Sequence, residues 1–387
     1  MNRNEQVREA VLNLLSAMRK ADFRGRDPYD ALQSPVIVKF TGKNNRLRFY
    51  AQQVIKRFPF DTGKLLNIQP QTNPVTLALA LQGVLNLERA GIVAQEESKN
   101  LQKDLTNRLK SMQSTDFPVA CWGYPFDWEA RYASIPANYP TVVSTGIVTN
   151  ALFQAWKATQ DEQLAELIIG ACRFVTDYLN RTIHKGHVVF SYSPSDREQV
   201  LNASGKAVRI LAQGYAVSGD ESFRTLAADA ASAIIELQRP DGSWPYSMRA
   251  TGGWIDNYHT GYLLDCLNDY SLLCRDNSAQ NAVNIGLSFY VHHFFNSDGS
   301  PKLFHNLSRP VDCTAAGQSL LTLTRFGKLE AAGKTASYMI ENLRNKEGRF
   351  YYRKHRFSTD KRTFMRWSDA WMLAGLSALV NSQNNIN

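Results

Sequence analysis

The feature that most constrains the fold of this chain is a helical segment, apolar on nearly all sides, that recurs six times. The first residues of the six copies are Asn73, Val142, Leu201, Asp256, Asp312 and Trp367. A helix that is apolar all round is buried all round, so these segments predict core helices. Their spacing of roughly 55 residues predicts a repeat architecture.

Two further pieces separate successive core segments. Amphipathic stretches such as DEQLAELIIGACRFVTDYLNRT, which begins at Asp161, carry acidic residues at their start, as suits a helix dipole. Polar turns that contain glycine follow these stretches, at Gly186, Gly242, Gly299 and Gly348, with a looser copy at Gly123. Glycine is favoured where a turn needs a positive φ. The repeating unit is therefore core helix, amphipathic helix, glycine turn and extended segment.

The predicted fold is an all-α (α/α)6 toroid, in which an outer ring of helices surrounds an inner ring of six, with short extended segments on the rim loops. All the glycine turns and the starts of the inner helices then lie at one end. The sixth unit lacks an outer helix, so residues 1–70 are expected to form a helical arm that packs on the toroid and closes it. Residues 71–387 form the toroid, and the whole chain is one structural domain.

Aromatic residues accumulate on the rim of this predicted toroid. Sugar rings present apolar C–H faces beside hydroxyl groups, so aromatic platforms with nearby polar groups suit them. The candidate substrate-binding residues are Trp122, Tyr124, Trp128, Tyr192, Trp244, Tyr246, Trp254, Tyr352, Arg366 and Asp369. The alternative is that the aromatic side chains only cap the open end of the inner ring.

Three aspartates are candidates for glycosidic bond hydrolysis. Asp127 lies among three aromatic residues in GYPFDWEAR, a setting that suits a proton donor. Asp256 and Asp312 stand at the starts of inner helices, where an N-cap is the first explanation. Hydrolysis needs a proton donor and a second carboxylate, and Asp127 paired with Asp256 or Asp312 is predicted to supply them.

Tyr258 and His259 follow Asp256 and offer a different chemistry. Proton abstraction beside the carboxylate of a uronate needs a base such as His or Tyr, and cations that neutralise the enolate. His259, Tyr258, Arg366 and the basic loop 353–356 could assemble that set, so a uronate lyase or epimerase is the alternative enzyme. A buried histidine with a structural role is the alternative for His259.

Composition limits the partners. The net charge of +9 favours an acidic oligosaccharide or polysaccharide, and no nucleic-acid-binding motif accompanies it. No apolar run approaches the about 20 residues that cross a bilayer, so no transmembrane segment is expected and the cytoplasm is the expected location. Five cysteines without paired spacing predict neither a disulfide framework nor a zinc site. No cofactor and no metal are expected, and the oligomeric state stays open.

The chain resembles the six-hairpin (α/α)6 toroid proteins that act on carbohydrates. The segments FRGRDPYDALQSP, TNPVTLALALQG and CWGYPFDW also resemble proteins of bacterial capsule and exopolysaccharide gene clusters. The resemblance implies a role in polysaccharide metabolism, with a glycoside hydrolase ahead of a lyase or epimerase and of a non-catalytic glycan-binding or assembly protein. QRPDGSWPY is similar to the repeats of squalene and terpene cyclases, but the aspartate-rich motifs of a terpene-cyclase-like toroid are missing.

Overall fold

Six helices form a closed inner ring in the computed structural model, which describes residues 2–130 and 133–384. Each of them packs against the next, and the last packs against the first. The inner helices are α4 (Pro74–Arg89), α6 (Val142–Thr159), α8 (Leu201–Ser218), α10 (Asn257–Cys274), α12 (Cys313–Arg325) and α14 (Trp371–Asn384). All six recurring segments are therefore inner helices, as predicted.

A second ring of helices surrounds the first. The outer helices are α1 (Arg3–Lys20), α5 (Gln95–Ser111), α7 (Glu162–Arg173), α9 (Glu221–Glu236), α11 (Gln280–His293) and α13 (Leu329–Leu343). α1 packs against α13 and α14 through a buried stripe that includes Val11 and Leu14. The predicted (α/α)6 toroid is confirmed, and α1 is the outer helix that the sixth unit lacks.

Three of the glycine turns pack against the outer helix of the next unit. Gly242, Gly299 and Gly348 have φ angles of 89°, 82° and 82°, values that side-chain-bearing residues rarely adopt. Each lies against the next outer helix, on Ile285 of α11, Lys334 of α13 and Asn13 of α1 respectively. Gly186 also has a positive φ, whereas Gly123 does not and packs against the backbone of residues 138–139.

Short strands lie in the connections between the helices, as expected. In the described residues they form β1 (Arg24–Gly25) with β2 (Gln71–Thr72), β3 (Trp128–Glu129) with β4 (Ser134–Ile135), β5 (Arg181–His184) with β6 (His187–Phe190), and β7 (Val311–Asp312) with β8 (Arg353–Lys354) and β9 (Thr359–Asp360). All of the pairings are antiparallel.

Residues between β1 and β2 form an addition to the ring. A 3-10 turn (Asp30–Gln33), α2 (Pro35–Thr41) and α3 (Asn45–Arg57) pack on one another, and α3 also contacts β3. Because α1 belongs to the outer ring and this addition does not, residues 1–70 serve two structural purposes. The division of the chain at residue 70 stays a prediction.

In the part of the chain described here, none of the helices combines the length and the apolar character that crossing a bilayer requires.

Candidate functional site at the front of the barrel

A cavity opens at the end of the toroid, or barrel, where the inner helices begin. We call it the front cavity. It has an outer chamber of ≈ 1010 Å³ and an inner chamber of ≈ 120 Å³. The residues that line both chambers are Tyr29, Trp128, Tyr192, Tyr246 and Tyr258. The inner helices therefore begin at one end of the toroid, as predicted, and aromatic side chains line the cavity at that end.

His259 and Asp256 form a pair at the start of α10. Asp256 is the N-cap, and its Oδ1 accepts the backbone N–H of His259 at 3.0 Å. Its Oδ2 lies 2.6 Å from Nδ1 of His259 and accepts the indole N–H of Trp254 at 3.1 Å. A carboxylate on one ring nitrogen fixes the orientation of an imidazole and leaves Nε2 for the cavity.

Aromatic rings hold this pair in place. Tyr246 stacks on Trp254 with the ring centroids 4.4 Å apart and the planes at 14°. The rings of Tyr258 and Tyr246 lie 4.2 Å and 4.8 Å from that of His259. Burial raises the pKa of Tyr258 well above its usual value, so its hydroxyl is protonated at neutral pH and suits a donor better than a base.

Arg366 reaches the inner chamber from a π-helical turn (Met365–Ala370) that precedes α14. Its guanidinium donates two hydrogen bonds to Asp27, at 2.6 and 2.8 Å, and lies 4.8 Å from the centre of the Tyr124 ring. Such π-helical turns are frequent at functional sites because they redirect side chains. Arg366 and Tyr124 are therefore part of the cavity, as predicted.

The segment before β2 contributes residues that the sequence did not identify. Lys56 of α3 donates a hydrogen bond to the hydroxyl of Tyr29, and both side chains line the outer chamber. Burial, with a smaller contribution from Arg353, lowers the pKa of Lys56 to about 7. Neither residue lies in a repeating unit, so the repeat pattern could not identify them.

Acidic side chains of the outer chamber already form ion pairs within the protein. Glu129 forms an ion pair with Arg48 at 2.8 Å, and Glu198 forms one with Arg249 at 2.7 Å. Burial raises the pKa of Glu198 above its usual value. The lining of this chamber carries as many acidic as basic side chains, namely Glu129, Asp196, Glu198 and Asp256 against Lys56, Arg57, Arg249 and Arg353.

Two predicted acids lie outside the front cavity. The Asp127 side chain is 38% exposed, forms an ion pair with Arg48 at 2.7 Å and accepts the backbone N–H of Ala137. Asp312 is fully buried as the N-cap of α12 and forms an ion pair with Arg353 at 2.5 Å. The predicted pairs of Asp127 with Asp256 or Asp312 are therefore wrong, because neither Asp127 nor Asp312 lines the cavity.

Two predicted tryptophan platforms are core residues instead. Trp122 and Trp244 are 0% and 2% exposed, and their indole N–H groups donate to the carbonyls of Leu109 and Ile234. Each carbonyl belongs to the last turn of an outer helix, α5 or α9. These indoles fasten the rim loops to the outer ring, so they are unavailable to a sugar.

Tyr352 and Asp369 are likewise buried away from the cavity. Tyr352 packs with Phe364 and Trp367, and Asp369 binds Arg349 at 2.6 Å and the backbone N–H of Phe350. Nine of the predicted residues do meet at the front cavity: Tyr124, Trp128, Tyr192, Tyr246, Trp254, Asp256, Tyr258, His259 and Arg366.

Several solved structures that the chain resembles are named as enzymes that act on carbohydrates. A cellobiose 2-epimerase from Bacillus thermoamylovorans has a TM-score of 0.62 and 10% identity, covering 81% of this chain and 88% of that chain. A family 76 glycoside hydrolase from a bovine Bacteroides thetaiotaomicron strain has a TM-score of 0.64 and 10% identity, covering 98% and 78%. A possible GH105 family member from Salmonella enterica has a TM-score of 0.63 and 10% identity, covering 100% and 96%.

At these identities the likeness shows the fold, which is that of the six-hairpin (α/α)6 toroids. No family model and no curated protein sequence matches the chain.

Proposed function

We propose that the protein is a carbohydrate-active enzyme that binds a saccharide in the front cavity and transfers a proton through His259. The observation that carries this proposal is the 2.6 Å contact between His259 and Asp256 among buried tyrosines. His259 takes the proton from a carbon beside a carboxylate, or beside the aldehyde of an open-chain reducing end, and the electron pair of the C–H bond forms the enolate. Return of a proton to the opposite face gives an epimer, and loss of a substituent from the next carbon gives an unsaturated sugar.

Other groups of the cavity suit the same reaction. Tyr258 is a protonated donor beside His259, and Lys56, with its pKa near 7, provides a cation or a proton at the outer chamber. Trp254, which is 41% exposed, and its stacking partner Tyr246 offer a platform for a sugar ring. The balanced charge of the outer chamber makes neutral oligosaccharides the first substrates to test, ahead of the acidic ones that the net charge suggested.

Glycoside hydrolysis is the second candidate, and it rests on Glu198. Burial raises the pKa of Glu198, as suits a general acid, although its ion pair with Arg249 opposes that shift, and Asp256 lines the same chamber as a second carboxylate. The roles in capsule or exopolysaccharide biosynthesis and as a non-catalytic glycan-binding protein stay predictions, as does a cytoplasmic location.

One incubation separates these reactions. The protein is mixed in D2O with cellobiose, which the name of the similar epimerase suggests, and with mannan and uronate oligosaccharides. We expect NMR to show a new epimer with deuterium at the inverted carbon, or an unsaturated uronate. New reducing ends without carbon-bound deuterium would indicate hydrolysis instead, and binding without any product would favour a glycan-binding protein.

A further inference from the structure

A second cavity lies at the opposite end of the barrel, where the inner helices end. This rear cavity has a volume of ≈ 420 Å³ and is lined by residues from the middle of the inner helices to their C-terminal ends, together with Trp371 at the start of α14. Ile147 and Trp371 line both the rear cavity and the inner chamber of the front cavity, so they form the wall between them. The proposed reaction uses no residue that lines only the rear cavity.

Lys206 of α8 is the least expected residue of the rear cavity. It is 2% exposed and its ammonium group lies 3.7 Å from the centre of the Tyr262 ring, which lines the front cavity. In the part of the chain that the structure describes, no ion pair or hydrogen bond joins Lys206 to an acidic side chain. A buried ammonium without a carboxylate partner is costly, and an anion would remove that cost.

Other polar atoms of the cavity also lack partners. Arg209 and Gln213 follow Lys206 on the same face of α8, since three and seven residues separate them from it. Nε of Arg209 and Oε1 of Gln213 are buried without a hydrogen-bond partner. The amide of Gln213 donates to Asn150, whose amide donates to Gln82, so three inner helices hold the acceptor in place.

The charge of the lining favours an anion. Five basic residues line the rear cavity against two acidic ones, Asp265 and Asp269. Arg325 binds both acids, at 3.3 and 2.5 Å, and Arg209 lies 3.7 Å from Asp269, so that the positive excess falls on Arg89, Lys157 and Lys206. Gln213 Oε1, as an acceptor, requires a donor such as a hydroxyl group from the ligand.

We propose that the rear cavity is a second binding site that takes a small hydroxylated anion, a sugar acid or a sugar phosphate. Lys206 and Arg209 bind the anionic group, and Gln213 accepts a hydrogen bond from a hydroxyl group. Because Lys206 rests on Tyr262, occupation of the rear cavity acts on the wall of the front cavity. The two ends of the barrel then bind different molecules.

Titration calorimetry with gluconate, glucose 6-phosphate, inorganic phosphate and glucose tests the site. Charged hydrogen bonds from Lys206 and Arg209 favour an anion, so we expect both sugar anions to bind at least about tenfold more tightly than glucose. Tighter binding of gluconate or of glucose 6-phosphate identifies which anionic group the site prefers. Inorganic phosphate binds more weakly than glucose 6-phosphate if Gln213 accepts a hydroxyl group.

Proton uptake supplies an independent measurement. Burial, and then Arg209, lowers the pKa of Lys206 to about 7, while Asp265, Asp269 and Cys266 oppose that shift. Arg89, Lys157 and Arg325 complete the charged groups around the cavity. At pH 8, binding of gluconate should therefore take up about one proton, which shows as a heat that changes with the ionisation enthalpy of the buffer. Gluconate is the probe because its own carboxylate does not titrate there.

Variants assign the binding to the rear cavity. Lys206→Met should abolish the proton uptake and weaken gluconate binding at least about tenfold. Gln213→Glu, which places a negative charge in the rear cavity two helical turns from Lys206, should also weaken gluconate binding at least about tenfold if Lys206→Met does not fold. Trp254→Ala, in the front cavity, is the matched control and should leave gluconate binding unchanged. Unaltered binding in Lys206→Met, loss in Trp254→Ala, or no preference for anions over glucose would each overturn the proposal.

Discussion

Two histidine–aspartate pairs of nearly equal geometry occupy very different places. His259 lies 2.6 Å from Asp256 in the front cavity, and His187 lies 2.8 Å from Asp229 at the outside of the toroid. We expect His259→Gln to reduce turnover at least about 100-fold, the scale of a lost general base, with a smaller change in substrate affinity. His187→Gln should leave turnover unchanged. Turnover of a folded His259→Gln equal to that of His187→Gln would show that His259 is not the base.

Trp244 and Trp254 are expected to differ in a similar way, since Trp244 supports the fold and Trp254 contacts the saccharide. Trp244 is buried against α9, so Trp244→Ala should lower the free energy of unfolding by about 3–5 kcal/mol. Trp254 is exposed at the cavity, so Trp254→Ala should weaken saccharide binding about fivefold or more and change the melting temperature little. Denaturant titrations and binding isotherms of the two variants check both statements, and a reversed pattern would place the platform at Trp244.

Lys206 should make stability depend on pH. Its pKa is about 7 in the folded protein and about 10.4 in an unfolded chain, so the unfolded chain binds more protons between these values. The contribution of this residue to stability therefore rises with pH from about 7 to 10. Lys206→Met should raise the melting temperature most near pH 6, with the gain shrinking towards pH 10. A gain that is the same at every pH would mean that Lys206 is not desolvated.

At the scale of elements, α1 closes the ring and its removal is informative. Deletion of residues 1–22 should lower the melting temperature and expose the apolar surface of α13 and α14, because α1 packs against both. Leu14→Ala, at a fully buried position, should cost about 2–5 kcal/mol, whereas Arg8→Ala, on the exposed side of α1, should stay within about 0.5 kcal/mol. A truncated protein as stable as the full chain would contradict this role of α1.

The inner helices could be predicted from the sequence because burial on all sides leaves a compositional signature. Asp256 and Asp312 were correctly expected as N-caps, since a side chain that accepts a backbone N–H works over three residues. The direction of a rim side chain depends on contacts between distant loops and helices. Trp122 and Trp254 look equivalent in sequence, but only Trp122 reaches a carbonyl of an outer helix. Lys56 was missed because α3 lies outside the repeat.

At the scale of the whole molecule, the charge of +9 is not gathered in the front cavity, whose outer chamber is balanced. Electrostatic steering of an acidic substrate would make kcat/KM fall steeply with ionic strength. We expect kcat/KM to change less than about threefold between about 0.02 and 0.5 M salt. A larger fall in kcat/KM for a uronate oligosaccharide than for a neutral one would support the acidic substrate that the composition suggested.

The contact of α1 with α14 has a consequence for how the protein is made. Ribosomes synthesise the residues of α1 roughly 350 residues before those of α14, at about 5–20 residues per second, so α1 waits roughly 20–70 s for this partner. During that time its stripe of Val7, Val11, Leu14 and Met18 has nothing to cover it. The nascent chain therefore presents this apolar stripe to chaperones until α13 and α14 emerge, and a circular permutant that places α1 after α14 would emerge in the order in which the ring is connected.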